Sequence, residues 1–518
     1  GAMNPYSNAD TYNVAVGYNA GGAVTTGVQN TLIGGLAGDA ITAANNNTAV
    51  GQSALGATTT GGSNVAIAVN ALGSNTTGGA NVAIGQDTLF NNTTASNNTG
   101  VGTSALTANT TGHTNTGIGE GALTANTTGA QNTAIGRSAL ASATTADNNV
   151  AVGYLALTAN TSVTQNVAVG VAAGDALTTG GYNTAIGYGA ISTGTSAASN
   201  TGIGETALYL LTTGASNTAV GRSALYSTTT ASYNTAIGNN ALTANTTGAD
   251  NVAIGGLAGD ALNVGSLNTA VGKSALSADT KGDYSVAIGY NALGVQNFTS
   301  PTNTFNTAVG VGSGSAITVG TNNVFVGAST GANDVNFTTG DNCTLIGSHA
   351  DVSTADAQGQ IAIGYNTGCI ADSTATLGNS TNTASLGLDG SDVDWAAASD
   401  ERYKENIETS TAGLSFIKDL RPVTYNWKKE KDVPVDMPDY KEGSDKPVRG
   451  HEYGTTLHGF VAQEVKELID GHSEIKEGFQ MWKEADNGVQ TIAHGNLIPM
   501  LVKAVQELSA KVEALENA

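Results

Sequence analysis

The chain has 518 residues, of which 69 are glycine, 12% are charged and 5% are aromatic. Its 19 Lys and Arg residues against 41 Asp and Glu residues leave a formal net charge of −22, which argues against a nucleic-acid partner because phosphate binding needs clustered cations. No run of about 18 apolar residues occurs, so no membrane insertion is predicted. Two cysteines, Cys343 and Cys369, are too few for a disulfide scaffold or a cysteine-rich metal site, and no metal or cofactor is expected.

The composition changes near residue 395, where the chain becomes richer in charge. Residues 1–398 hold 4 basic and 19 acidic side chains, whereas residues 399–518 hold 15 and 22. All three tryptophans lie at or after this point. The change predicts two regions built on different principles. Residues 1–3, Gly-Ala-Met, are typical of what remains after an expression tag is removed.

A 17-residue repeat dominates the first region. Each copy opens with the pattern Asn-Thr/Val-Ala/Gly-Ile/Val-Gly, and a second apolar anchor such as Ala54-Leu55 or Ala122-Leu123 follows four or five residues after the Ile or Val. A polar stretch rich in Thr, Asn and Gly, which are poor helix formers, completes the copy. The regular copies start at Asn13, Asn30, Asn47, Asn64, Asn81, Asn98, Asn115, Asn132, Asn149, Asn166, Asn183, Asn200, Asn217, Asn234, Asn251, Asn268 and Ser285.

A unit of this length is too short for a pair of helices and indicates one coil of a β-solenoid, with two short strands and turns between them. Stacking would then place Ile or Val over Ile or Val in a dry interior, and Gly over Gly where backbones crowd. The Asn and Thr columns are expected to bond turns and neighbouring coils. A regular Thr ladder also raises the alternative of an ice-binding face, which we consider the weaker interpretation.

The regularity of the repeat gives the domain boundaries. After Ser285 an insert carrying Pro301 delays the next copy to Asn306, and later copies are spaced less evenly. We therefore predict an N-terminal lead-in at residues 1–12, a regular solenoid at 13–305, irregular repeats at 306–378, a linker at 379–398 and a separate domain at 399–518.

The repeat resembles the head repeat of trimeric autotransporter adhesins, and similar arrays in bacteriophage tail-fibre proteins, over roughly residues 13–378. The resemblance implies a left-handed β-roll in which three chains pack side by side. Trimer formation also has a physical basis, because one narrow coil encloses few side chains and so few aromatic residues leave little else to bury.

The second region has the pattern of a mixed α/β domain. Val423–Trp427 is predicted as a strand and Val461–Ile469 as a helix. The final segment is predicted as a helix with a seam suited to a parallel coiled coil, and the alternative is a helix that packs on its own domain. The seam consists of Leu497, Leu501, Val505, Leu508, Val512 and Leu515.

Four motifs of this region resemble the intramolecular chaperone domain of endosialidases and other phage fibres, peptidase family S74. They are Ser399-Asp400-Glu401-Arg402-Tyr403-Lys404-Glu405-Asn406-Ile407, Leu420-Arg421-Pro422-Val423, His458-Gly459-Phe460-Val461-Ala462-Gln463-Glu464-Val465 and Asn496-Leu497-Ile498-Pro499. The resemblance covers about 120 residues. It implies a domain that trimerises the fibre, assists its folding and then cuts itself off in a single turnover.

The resemblance places a Ser-Lys dyad on Ser399 and Lys404 and the cleavage site at Ser399-Asp400. It also makes His458 a candidate for proton transfer or for orienting the scissile segment. Arg402 and Glu405 are supporting candidates, although they could equally form a surface ion pair. Read without the other motifs, this segment is the start of a solvated helix with Ser399 as its N-cap.

The chemistry of the dyad can be examined from the residues themselves. A serine hydroxyl needs a base, and a lysine acts as one only where burial or nearby positive charge lowers its pKa. Five residues along a helix leave two side chains about 140° apart, so a bend or a neighbouring chain must bring Ser399 and Lys404 together. Attack by Ser399 on its own carbonyl would close a strained four-membered ring, and attack on the carbonyl of Ala398 would close a five-membered one. The sequence does not determine which of these two carbonyls is attacked.

These observations favour a homotrimeric phage tail fibre or related adhesin, located on the virion, that binds a glycan or protein on the host surface. The alternative is a bacterial surface adhesin or a fibre of a phage-like injection device with the same chaperone. A glycan-cleaving tailspike is disfavoured, because the acidic residues of the repeats are scattered rather than paired.

Overall fold

The computed structural model describes residues 11–380, 383–388, 406–435, 437–448, 454–476, 479, 481–484 and 488–517. The chain divides into two compact units, Gly1–Ala398 and Ser399–Ala518. Within the ranges given, no helix is both long enough and apolar enough to cross a bilayer.

The N-terminal unit is a β-solenoid, as predicted, with one short strand in nearly every coil. Its strands are β1 (Val14–Val16), β2 (Thr31–Ile33), β3 (Thr48–Val50), β4 (Val65–Ile67), β5 (Val82–Ile84), β6 (Thr99–Val101), β7 (Thr116–Ile118), β8 (Thr133–Ile135), β9 (Val150–Val152), β10 (Val167–Val169), β11 (Thr184–Ile186), β12 (Thr201–Ile203), β13 (Thr218–Val220), β14 (Thr235–Ile237), β15 (Val252–Ile254), β16 (Thr269–Val271), β17 (Gly282–Asp283), β18 (Val286–Ile288), β19 (Thr302–Asn303), β20 (Thr307–Val309), β21 (Val324–Val326), β22 (Thr344–Ile346), β23 (Ile361–Ile363), β24 (Thr374–Gly378) and β25 (Thr383–Gly387).

All of these strands except β17 and β19 join one 23-stranded sheet. Up to β23, each sheet strand pairs in parallel with the strand of the next coil, in a constant register such as Ala134 opposite Ala151. The insert that precedes Asn306 keeps this register, because Ala287 still faces Ala308. The extra residues are taken up outside the sheet, where β17 and β19 form a short parallel pair of their own.

The expected second strand is absent from the described coils except the two that contain β17 and β19. The second apolar anchor instead lies in a turn, because its leucine adopts positive φ, as at Leu55 (54°) and Leu72 (52°). Two residues earlier, Ser53 (54°) and Asn70 (61°) do the same. A chain that alternates into the left-handed region cannot extend into a strand, and these leucines fill the coil interior from the turn.

The side chains also face the opposite way from the prediction. The Ile and Val column was expected in the interior, but Ile135 is 39% exposed whereas Ala134 beside it is fully buried. Alternation along a three-residue strand places its first and third side chains on one face and its middle side chain on the other. The narrow interior accepts the small middle residue, so the two larger residues form an outward face.

A buried amide ladder runs along the coils beside the strands. Asn132 is 1% exposed, and its side chain donates to the carbonyl of Ala146 at 2.6 Å. Its amide oxygen accepts the backbone N–H of Asn149 at 3.1 Å, and its own N–H donates to the amide oxygen of Asn115 at 2.9 Å. Each asparagine therefore satisfies backbone groups of two neighbouring coils that turns would otherwise leave without partners. Cys343 occupies a ladder position near the C-terminal end and its N–H donates to Asn323 at 2.9 Å.

The predicted glycine column is confirmed. Gly136 follows β8 with φ +133°, and a Cβ there would lie 2.5 Å from the carbonyl oxygen of Gly153 in the next coil. Among the regular coils the same position holds glycine except after β4, where Ala68 adopts φ 110°. Interior volume is conserved along the stack in a similar way. Where the middle strand residue is large, at Leu32, Phe325 and Leu345, a smaller residue replaces the leucine of the turn, at Gly38, Gly331 and Asp351 respectively.

The sheet ends in a hairpin. β24 pairs in parallel with β23, and β25 then returns antiparallel to β24, with Thr376 opposite Ser385. The first part of the segment expected to be a linker, residues 379–398, thus contains a strand of the sheet. The rest of that segment from residue 389 onward lies outside the described residues.

The C-terminal unit has mixed secondary structure. Its elements are α1 (Leu414–Asp419), β26 (Val423–Tyr425), β27 (Leu457–Gly459), α2 (Ala462–Gly471), β28 (Trp482–Glu484), β29 (Gln490–Ile492), α3 (Ile498–Glu516) and short 3-10 helices at Glu430–Asp432 and His494–Leu497. The predicted strand, the predicted helix at 461–469 and the final helix are all present. Their common core contains Phe416, Val465, Ile469, Met481 and Leu497.

The amide ladder predicts a large effect of a small substitution. We expect Asn132→Ala to lower the free energy of unfolding by about 3 kcal/mol, because it leaves the N–H of Asn149 and the carbonyl of Ala146 buried without partners. The urea midpoint of the full chain measures the change. Thr128→Ala, at an exposed threonine four residues before Asn132, is the matched control and should leave the midpoint unchanged. Equal midpoints for both variants would contradict the role given to the ladder.

Candidate functional site

The residues predicted for self-cleavage are largely outside the part of the chain that the structure describes. Ser399, Asp400, Arg402, Lys404 and Glu405 all precede Asn406, where the description of the C-terminal unit begins. Their assignment stays a prediction.

His458 is the one predicted site residue whose position is described. It lies at the centre of β27, opposite Thr424 of β26. Alternation along the strand turns its imidazole outward into solvent, between the half-buried Leu457 and Gly459. Among the described residues its ring makes no hydrogen bond or ion pair, so both ring nitrogens are open to a segment that approaches this strand.

A charged pair joins two of the four motifs. Arg421 donates from Nε to one carboxylate oxygen of Glu464 at 3.0 Å and from a terminal nitrogen to the other oxygen. The hydrogen bonds from Arg421 lower the pKa of Glu464, and the carboxylate in turn raises the pKa of Arg421. This two-pronged contact ties the first turn of α2 to the segment between α1 and β26. The spacing of 43 residues between the two partners gives no sign of the pair in the sequence, although each stands inside one of the four motifs.

A cavity of about 820 Å³ lies beside the antiparallel pair of β26 and β27. Its lining includes the aromatic side chains of Tyr425, Trp427 and Phe460, with His494 at the start of the 3-10 helix. Gly459 also lines it, and a Cβ at that position would approach the Tyr425 ring at 3.3 Å. The His-Gly-Phe motif therefore places His458 in solvent while its next two residues form the cavity wall. The described residues contain no cluster of three or more His, Cys, Asp or Glu side chains fit to hold a metal ion.

The final helix leaves most of its predicted seam uncovered within the described unit. Leu497 is buried in the core, but Leu501, Val505 and Leu508 are 45%, 65% and 52% exposed. The helix packs on its own unit through a different side, where Ala504 is buried and the Glu507 carboxylate accepts the N–H of Leu414 at 3.0 Å. One helix thus carries both an internal contact and a separate apolar stripe.

His472 holds the ends of α1 and α2 together. Its ring contacts Glu474 Oε1 at 2.9 Å and Asp419 Oδ2 at 3.3 Å, and it packs edge-on against Phe416. The hydrogen bond to Glu474, followed by the one to Asp419, raises the pKa of His472 above its ordinary value of 6.5. The protonated ring therefore stabilises the folded unit.

This pair of contacts predicts a pH-dependent stability. The stabilisation should be complete below pH 6.5, the ordinary pKa, and should be lost as the pH rises through the higher pKa of the folded state. We expect the urea midpoint of tryptophan fluorescence to be higher at pH 5.5 than at pH 8, and His472→Gln to remove this difference. His458→Gln, at an exposed histidine, should retain it. A His472→Gln variant with the same pH dependence as the parent would contradict the assignment.

The comparisons with known proteins bear on this unit. Residues 399–473 match the model of peptidase family S74, described as chaperone of endosialidase. The matched segment includes the predicted dyad, the Arg421–Glu464 pair and His458. Neither the curated proteins nor the solved structures gave a match to the chain.

Proposed function

We propose, from the chaperone-of-endosialidase domain at residues 399–473 and the β-solenoid that precedes it, that three copies of this chain assemble into a fibre that binds a cell surface. The C-terminal domain aligns the three chains, promotes their folding and then releases itself. The fibre belongs to a phage tail and contacts a glycan or a protein on the host.

The outward face of the sheet is the observation that carries the assembly. One Ile or Val per coil forms a continuous column along the sheet, and members such as Ile67, Ile135 and Ile237 are 36% to 39% exposed. Monomeric soluble proteins rarely leave an apolar surface of this extent in water. Packing of three such faces around a common axis would bury the column and give each thin coil the core that it lacks. The number three comes from the resemblance of both regions to trimeric fibres.

The exposed stripe of α3 supports the same assembly at the other region. Leu501, Val505, Leu508, Val512 and Leu515 recur at heptad spacing, which suits a parallel bundle of helices from three chains. The bundle would join the C-terminal units of three chains, and equivalent solenoid coils of the three chains would then start in the same register.

A fold built from similar coils needs a means of aligning its chains, and a separate domain can provide it. Coils that look alike can pair in several registers shifted by whole repeats, and each wrong register would bury nearly the same surface. A trimeric domain at the end of the chain fixes one starting register. Its removal afterwards leaves a fibre that unfolds slowly and cannot readily realign, so stability becomes kinetic.

Release is proposed to occur at the Ser399-Asp400 site, with Lys404 as the base for the Ser399 hydroxyl. Because attack within one chain on the carbonyl of Ser399 would close a strained four-membered ring, cleavage of the Ser399-Asp400 bond itself requires the Ser399 hydroxyl of a neighbouring chain, whereas attack within one chain falls on the carbonyl of Ala398. A lysine acts as a base only when its pKa falls, and trimer formation can supply the burial or the neighbouring cation that lowers it. Cleavage would then follow assembly. His458, exposed on β27, is proposed to assist by orienting the scissile segment or by moving a proton.

The cleavage proposal predicts a C-terminal fragment of about 120 residues on denaturing gels. Wild type should release it, whereas Ser399→Ala and Lys404→Ala should stay intact. Ser415→Ala and Lys418→Ala, at exposed positions of α1, are matched controls that should cleave normally. We expect His458→Ala to slow release by roughly 100-fold if its imidazole transfers a proton. Equal release from all variants would contradict the dyad.

The assembly proposal predicts protection of the outward face. A cysteine placed at Ile118 should react with a thiol reagent at least tenfold more slowly than one placed at the exposed Thr111, and the two should react equally in denaturant. Native Cys343 and Cys369 should not interfere, because burial raises the pKa of each thiol to about 11. The mass of the native particle, measured by light scattering, should be that of three chains. A freely reactive cysteine at position 118 would show that the face is not covered.

A further inference from the structure

Two columns of side chains border the outward face of the solenoid sheet. The exit column consists of the residue two places after each strand, such as Arg137 after β8. The entry column consists of the two residues before the ladder asparagine of each coil, such as Asp147 before Asn149. Because the chain enters the strand on one side and leaves it on the other, the two columns lie along opposite edges of the face.

The exit column concentrates the positive charge of the solenoid. Of the four basic side chains in residues 1–398, three stand in this column, at Arg137, Arg222 and Lys273. Within the chain, Arg137 lies 3.6 Å from Glu120 and packs over the ring of Tyr154, and Arg222 lies 3.7 Å from Glu205. These neighbours belong to the same column and are exposed. They hold the guanidinium groups at the edge of the face without covering them.

The entry column carries carboxylates at matching places. Asp147 Oδ1 accepts the N–H of Ala130 at 2.6 Å, and Asp283 Oδ1 accepts the N–H of Ser266 at 2.6 Å. Asn45 makes the same contact with Val28 through a neutral amide, so the contact itself does not require a charge. Neither Asp147 nor Asp283 forms an ion pair within the described chain. Each is half-buried and has its second oxygen available at the edge.

The separation in sequence between the basic residue and the carboxylate is the same in two places. Asp147 follows Arg137 by ten positions, and Asp283 follows Lys273 by ten positions. The second pair is the first pair displaced by eight whole coils. Any arrangement of neighbouring chains that brings one pair together therefore brings the other together as well. Asp250 stands in the entry column further from Arg222 and does not share this spacing.

We propose that the exit edge of one copy packs against the entry edge of the next, so that Arg137 pairs with the partner subunit's Asp147 and Lys273 with the partner subunit's Asp283. This inference rests on the proposed three-chain assembly. In a ring of three with the outward faces turned inward, each contact is necessarily between unlike edges. The cation of one edge then meets the carboxylate of the other.

Several tyrosines of the solenoid stand in these two columns, whereas Tyr209 and Tyr226 stack on each other in the turns. Tyr154, Tyr188 and Tyr290 stand in the exit column, and Tyr182, Tyr233 and Tyr284 stand in the entry column, all of them exposed in the single chain. Aromatic side chains and arginine are enriched where protein surfaces meet. Their placement along both edges agrees with contact between copies there.

The paired charges would define the register of the three chains. A shift by one coil would set Arg137 against Ala130 or Thr164, and Lys273 against Ser266, and both ion pairs would be lost together. Ion pairs at an exposed edge contribute little to stability, but they can decide between alignments that are otherwise nearly equal. The solenoid would thus contain charged residues that favour the same alignment of the three chains as the one that the C-terminal domain first sets.

Disulfide trapping in the full chain tests the pairing. The variant Arg137→Cys with Asp147→Cys should form disulfides between chains under mild oxidation, seen as dimer and trimer bands on non-reducing denaturing gels. Arg137→Cys combined with Ala130→Cys or with Thr164→Cys represents the alignments shifted by one coil and should give at least tenfold less. Lys273→Cys with Asp283→Cys provides a second, independent pair. Light scattering of each variant reports the number of chains.

The outcomes separate the pairing from the assembly. Three-chain particles with strong bands from both matched pairs would support the inference. Three-chain particles in which the shifted pairs cross-link equally well, or the matched pairs do not, would overturn it and leave the assembly intact. A single-chain mass for the wild type would overturn the assembly, and the pairing with it.

Discussion

The width of the coil interior governs this molecule. Each coil has room for one small strand residue, one ladder amide and the leucine of the turn, as Ala134, Asn132 and Leu140 show by their complete or nearly complete burial. Where the middle strand residue is larger, a smaller residue stands in place of the turn leucine, as Gly38 does beside Leu32 and Asp351 beside Leu345. Because these three side chains already fill the narrow interior, the Ile and Val side chains of the strands point outward. In the proposed assembly, a fold this thin gains its apolar core by sharing surfaces between chains.

The sequence was sufficient for the period, the strand positions and the glycine column, because all three follow from exact recurrence. It misled on the direction of Ile and Val, since the larger apolar residue is the usual candidate for a core. The better signal was the restriction of the middle strand position to Ala or Gly in nearly every copy. The missing second strand had no such signal, because leucine rarely adopts the positive φ found at Leu55.

In the C-terminal unit the motifs identified the elements but not their contacts. Arg421 and Glu464 are 43 positions apart, and only the tertiary structure brings them together. The heptad spacing of α3 could be recognised in the sequence, whereas the separate contact through Ala504 and Glu507 depends on tertiary structure. Ser399 and Lys404 rest on the family resemblance, because five positions of separation do not determine a distance between side chains.

The hairpin at the end of the sheet has a consequence for size. A stack of parallel strands can add further strands at either end, since each end presents unpaired backbone groups. Here β25 runs opposite to every strand before it. A second molecule that approached this end with its first coil would meet a strand of the wrong direction and could not continue the ladder. End-to-end addition of a first coil in the parallel arrangement is therefore disfavoured, so the length of the parallel stack is set by the number of coils in one chain rather than by protein concentration.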